Sequence, residues 1–167
     1  MAYTHRYAYL PADPRYAHAW PTILTDTRLI IERARRGGVV IAGRDGYRRP
    51  VLDPGEGIEF NGDATTDLDG GVFQILAPLS TGRTPAVSAW CATSRKPYDL
   101  AVAAVLLRCV QVMPEVFVID SDGGWDTDWL LGPRVRSDGH ILSARGLVGH
   151  LFEPYPPASR SPTSPRS

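Results

Sequence analysis

The chain has 167 residues, 43% apolar and 22% charged, with 18 basic and 18 acidic groups. That length and balance predict one globular domain able to enclose a real core. They exclude a chain-wide nucleic-acid footprint, which needs a basic surplus, although a local basic face stays compatible with zero net charge. Residues 1–60 carry nine basic against seven acidic groups, 61–130 four against nine, and 131–167 five against two, so the middle is acidic. Cys91 and Cys109 are too few for a disulfide framework and have no metal-ligand spacing, and both read as buried thiols. The start has no apolar signal core, and the longest apolar run, 100–107, is far too short to span a bilayer. A cytoplasmic location without a membrane partner is the expectation.

Residues 1–21 are rich in tyrosine, arginine and proline and show neither a helical nor a strand period. They predict an irregular aromatic and basic arm, with Tyr7, Tyr9 and Trp20 as candidate partner contacts or, alternatively, as packing against the chain's own domain. The folded unit is expected over 22–153. In TDTRLIIERARRGG, Thr25 or Asp26 can cap a helix that carries Leu29, Ile30 and Arg33 and ends at Gly37 and Gly38. VVIAGRDGYRRPVL reads as two strands around the Asp45–Gly46 turn, with Pro50 placing the second at a sheet edge. GIEFNG, VFQIL and AVSAWC add three short strands of an antiparallel meander.

From Tyr98 to Met113 only Asp99, Arg108 and Gln111 are strongly polar, so a helix there must be covered on most sides. Pro114 stops it and VFVID follows as a buried strand. WDTDWLL makes at most a short helix, RVRSDGHIL a hairpin about Asp138 and Gly139, and SARGLVGHLF a closing helix capped by Ser143. The tail, 154–167, is proline- and serine-rich and predicts disorder. Together these give an α+β fold: a mostly antiparallel sheet of short strands on one buried central helix, with one or two smaller helices.

Three features could carry chemistry. The chain's only lysine, Lys96, follows Arg95 and precedes Pro97, Tyr98 and Asp99 at a helix start. Free N–H groups and two cations there would suit an anion, but a first-turn carboxylate competes for those donors, and two solvated cations explain the pair as well. The loop DSDGGWDTD brings Asp120, Asp122 and Asp126 close enough in sequence to hold a hard cation such as Mg2+, and a second acidic loop with Asp63, Asp67 and Asp69 could meet it. The first loop lacks calcium-loop spacing, and aspartate and glycine are what turns use, so solvated turns are the better reading of both. His5, His18, His140 and His150 form no ligand pattern, and Ser143 beside His140 is better explained as a helix cap.

The run ATSRKPYDLAVAAVLL, preceded by GIEFNGD and followed by SDGGWDTDW, resembles a group of uncharacterised small proteins of high-GC bacteria and their phages. Their pattern has a basic residue, threonine, ARKPYD, an apolar helix and an SDG turn with tryptophan. The resemblance covers about 58–129, departs at Ala92 and Ser94, and brings no activity with it. The leading expectation is a non-catalytic binding or regulatory protein, associated with a mobile element, whose sheet face or aromatic arm contacts a protein partner, nucleic acid remaining open. It needs no cofactor. The alternative is a small Mg2+-dependent enzyme acting on a phosphate-containing substrate, with the aspartates on the metal and Arg95 and Lys96 on the phosphate.

Overall fold

The computed structural model describes residues 3–80, 86–125, 127–131, 135–137 and 140–152. The fold is mixed α+β, as the sequence predicts, but its strands divide between two antiparallel three-stranded sheets and a hairpin. In the first sheet β1 (Thr4–Tyr9) lies between β5 (Val87–Ala92) and β6 (Phe117–Ser121). The second sheet runs in sequence order through β2 (Val51–Asp53), β3 (Gly57–Phe60) and β4 (Phe73–Ile75). β7 (Val135–Ser137) and β8 (His140–Leu142) pair as the hairpin expected from their sequence. The turn residues Asp138 and Gly139, and the tail from 154, lie outside the described residues.

The first correction concerns the amino-terminal segment. Residues read as an irregular arm form β1, the middle strand of its sheet, and the opening turns of α1 (Pro14–Arg36). The signal was present: Asp13 caps the helix by accepting from the Arg15 N–H at 2.8 Å, and Pro14 takes the first helical position, where a missing N–H costs nothing. Pro21, inside α1, hid the helix by suggesting a break. Asp26 is therefore no cap; it is buried in mid-helix and pairs with the Arg108 Nε at 2.7 Å. Leu29 faces outward, while Tyr16, Trp20, Ile23, Thr27, Ile30 and Ala34 make the inner stripe.

Of the two readings of Tyr7, Tyr9 and Trp20, packing on the chain's own domain holds and partner contact does not: all three are core residues. A ladder of stacked rings runs Trp20–Tyr16–Tyr9–Phe117, with centroids 5.5–5.7 Å apart. Their hydroxyls reach the outer edge of β4: Tyr7 donates to the Gln74 carbonyl at 2.7 Å, Tyr16 donates to the Leu76 carbonyl at 2.5 Å, and Tyr9 accepts from the Leu76 N–H at 2.9 Å. Burying a tyrosine is favourable only when its polar end finds a partner. Here the partners are the backbone groups of an edge strand, so the rings both fill the core and join the two sheets.

α2 (Asp99–Val112) is the buried central helix, with ten of its residues from Asp99 through Cys109 inside. It packs against α1, β6 and α4 (Ala144–Leu151), the last capped by the Ser143 hydroxyl accepting from the Gly146 N–H at 3.2 Å. α3 (Asp128–Leu131) is the short helix expected before the hairpin. β2 is an edge strand directly after Pro50, as expected. The strand predicted before the Asp45–Gly46 turn reduces to a single bridge, Ala42 to Asn61. β6 is not buried on both faces: Phe117 and Ile119 point in and Val118 and Asp120 out. Cys91 and Cys109 are free and buried.

Candidate functional site

Lys96 and Arg95 stand at the turn between β5 and α2, where Ser94 and Arg95 both take left-handed backbone conformations, at φ 52° and 59°. Two successive non-glycine residues there are costly, at about 1 kcal/mol or more each, so the turn is held by its contacts. Lys96 Nζ donates to the carbonyls of Asp67 at 3.2 Å and Asp69 at 2.5 Å. Arg95 pairs with the Asp128 carboxylate and lies over the Tyr3 ring at 4.2 Å. The adjacent cations thus each hold one acidic loop.

The loop held by Lys96 is built to close. The buried Asn61 side chain accepts from the N–H groups of Gly62 and Gly70 and donates to the carbonyls of Arg44 and Gly70. Gly62 is required: a Cβ there would lie 2.0 Å from the Leu68 carbonyl oxygen and 2.8 Å from the Tyr98 ring. Asp63 accepts from Thr65 and Thr66, bonds that hold its carboxyl below the usual range. In the other loop Asp122 accepts from Arg6 and from the Thr4 N–H, both at 3.0 Å, and the Arg6 bond chiefly lowers its pKa. Asp120 stands 4.0 Å from the same guanidinium, and Asp126 lies outside the described residues. Among the described residues no three His, Cys, Asp or Glu side chains cluster as metal ligands.

Sequence reasoning missed a buried polar chain on the inner side of the first sheet. His5 Nε2 meets Asp99 Oδ1 at 2.6 Å, His5 Nδ1 meets the Ser121 hydroxyl at 2.9 Å, and Thr93 donates to Asp99 at 2.5 Å. An ionised carboxylate only accepts, so with Asp99 charged Nε2 carries the hydrogen and Nδ1 can take that of Ser121. The order Ser–His–Asp matches a nucleophilic triad, yet His5 is 0% exposed and the Ser121 oxygen already accepts from the Gly123 N–H at 3.0 Å. Its visible work is to tie β1, β6 and the start of α2 together. Asp99 therefore answers to His5, not to the helix dipole alone, and sequence spacing gives no hint of a partner 94 positions away.

The opposite face of the same sheet is open. Alternation along β1 sends His5, Tyr7 and Tyr9 inward and Thr4, Arg6 and Ala8 outward. The register then sets two outer rows, Trp90–Arg6–Asp120 and Ser88–Ala8–Val118. Trp90 is 71% exposed and Val118 59%. The six side chains line a shallow hollow of about 470 Å3. Trp90, Val118 and Ala8 give the hollow its apolar surface, with Arg6 and Asp120 beside them, and Trp and Arg are the residue types that supply most anchoring energy at interfaces. No family model matches the chain, and neither a curated protein nor a solved structure does.

Proposed function

We propose that the chain is a non-catalytic binding protein that recognises a protein partner through the open face of the β5–β1–β6 sheet. The observation that carries this reading is Trp90, exposed on a strand whose neighbouring residues are paired to β1 throughout, on the same face as an outward Val118 across β1. A well-ordered strand offers a rigid platform, which lowers the cost of binding. The charges of the face favour protein over nucleic acid: Arg6 is matched by Asp120 and Asp122, leaving no positive surplus for a phosphate backbone. Two unpaired thiols support a reducing, cytoplasmic setting. Among the described residues no helix is long and apolar enough to cross a membrane. The resemblance to small proteins of high-GC bacteria and phages supports an association with a mobile element.

Of the residues the enzyme alternative needs, Lys96 and Arg95 are engaged with the two loops and Asp122 with Arg6, while Asp126 lies outside the described residues.

A photo-cross-linking amino acid at Ser88, on the proposed face, tests the reading inside cells of the source organism. A discrete protein adduct is expected from Ser88, lost on Trp90→Asp and absent when the same cross-linker replaces the exposed Tyr47. Equal labelling from both positions, or saturable binding of single-stranded DNA that quenches Trp90, contradicts it.

A further inference from the structure

A second hollow, of about 520 Å3, lies between α1 and the edge strand β2, lined by Ile31, Arg35, Arg49, Pro50 and Leu52. Its size falls among small-molecule sites, which hold roughly 300–1,000 Å3. Arg28, Ile31 and Arg35 share one face of α1 by their spacing of three and four. Arg28 donates to the Leu52 carbonyl at 3.1 Å, which brings a third guanidinium to the rim, and Arg35 is steadied by the Ile41 carbonyl at 2.9 Å.

Arg28, Arg35 and Arg49 share with Arg33 the lack of a carboxylate partner among the described residues, where seven other arginines have one. Arg6, Arg15, Arg36, Arg44, Arg48, Arg95 and Arg108 each meet a carboxylate within 4.0 Å. The nearby carboxylates are engaged elsewhere: Glu32 pairs with Arg36, and Asp53 accepts from the N–H groups of Gly55 and Glu56. In a chain of zero net charge this rim is a local positive excess over an apolar floor of Ile31 and Leu52.

We propose that this groove binds a small amphipathic anion, its carboxylate or phosphate head on the Arg35 and Arg49 guanidiniums and its apolar body on Ile31, Pro50 and Leu52. The fork of N–H donors on arginine suits either head, and the ion pair strengthens as the apolar body displaces water. A peptide strand added to β2 fits less well, because Pro50 at the lip has no N–H to offer.

Calorimetric titration of the whole chain with octanoate and with phenyl phosphate tests the site, with 1-octanol and inorganic phosphate as half-ligands. At least one amphipathic anion is expected to bind saturably, about tenfold or more tighter than either half-ligand, a difference of about 1.4 kcal/mol. Binding of only one of the two anions upholds the proposal and assigns the head group. Arg49→Gln, at a side chain with no hydrogen bond to lose, is expected to leave the melting temperature unchanged and weaken that binding about tenfold. The proposal is overturned if neither anion saturates, if a half-ligand binds as tightly, or if Arg49→Gln binds like the parent.

Discussion

The two faces of the first sheet are made by the same three strands, yet they differ in almost every physical respect. On the inner face the rows are Cys91–His5–Ser121, Ala89–Tyr7–Ile119 and Val87–Tyr9–Phe117, closed over by aromatic rings and bound through hydroxyls to the second sheet. On the outer face the rows hold one tryptophan, one valine and a cation between the tryptophan and a carboxylate, and both Trp90 and Val118 are exposed. A sheet that needed only to fold would place polar residues outward, as open antiparallel sheets do. Trp90 and Val118 break that rule, and it is this break that the proposed recognition would use. The acidic loops, in contrast, are explained by Arg95 and Lys96.

If the inner face is structural and the outer one is not, perturbations should separate them by size. The widest effect is expected from alkaline pH. Tyr3, Tyr7, Tyr9, Tyr16 and Tyr98 all have raised pKa values, chiefly through burial, Tyr3 to about 12 from 10.0. The buried, neutral form is the stable one, so stability is intact below pH 10.0 and falls as pH climbs towards the folded values. Tyrosinate absorbance should thus rise together with loss of circular dichroism. Ionisation of these rings while the chain stays folded would break the picture of a sealed inner face.

Asp99→Ala should come next, costing about 3–5 kcal/mol in a urea titration, since it leaves His5 and Thr93 buried without their shared acceptor. Leu106→Ala, at a fully buried position on α2, should cost about 2–5 kcal/mol, nearer the middle of that range. Lys96→Ala should cost only about 1 kcal/mol, because the bonds it loses are partly exposed, and should speed amide exchange in residues 61–71. No change in that exchange would mean that the lysine does not hold the loop.

Much of the inner face was legible in advance. The run after Tyr98 is apolar on nearly every side of a helix, and a central helix can bury that; VFQIL and AVSAWC stand as short strands between turn-rich pieces, and Ser143 caps where it was expected to. What escaped reading depended on distance. Tyr7, Tyr9 and Trp20 resemble a loose aromatic arm until distant backbone supplies their partners, the end of β4 more than 60 positions away for the two hydroxyls and the Pro54 carbonyl for the indole N–H. The outer face was foreseen only as a sheet face in general, because which residues point outward follows from register, and register is a tertiary fact. Asp13–Pro14 was the one overlooked local signal, since it marks a helix start from sequence alone.

If Trp90 serves recognition and not folding, the most direct measurement is a comparison of Trp90→Ser with the parent in the same preparation. Chemical denaturation is expected to agree to within about 0.5 kcal/mol, as exposed substitutions usually do, while the Ser88 cross-linked adduct disappears. A loss of 2 kcal/mol or more, roughly the cost of truncating a core side chain, or an adduct that survives the substitution, would contradict it.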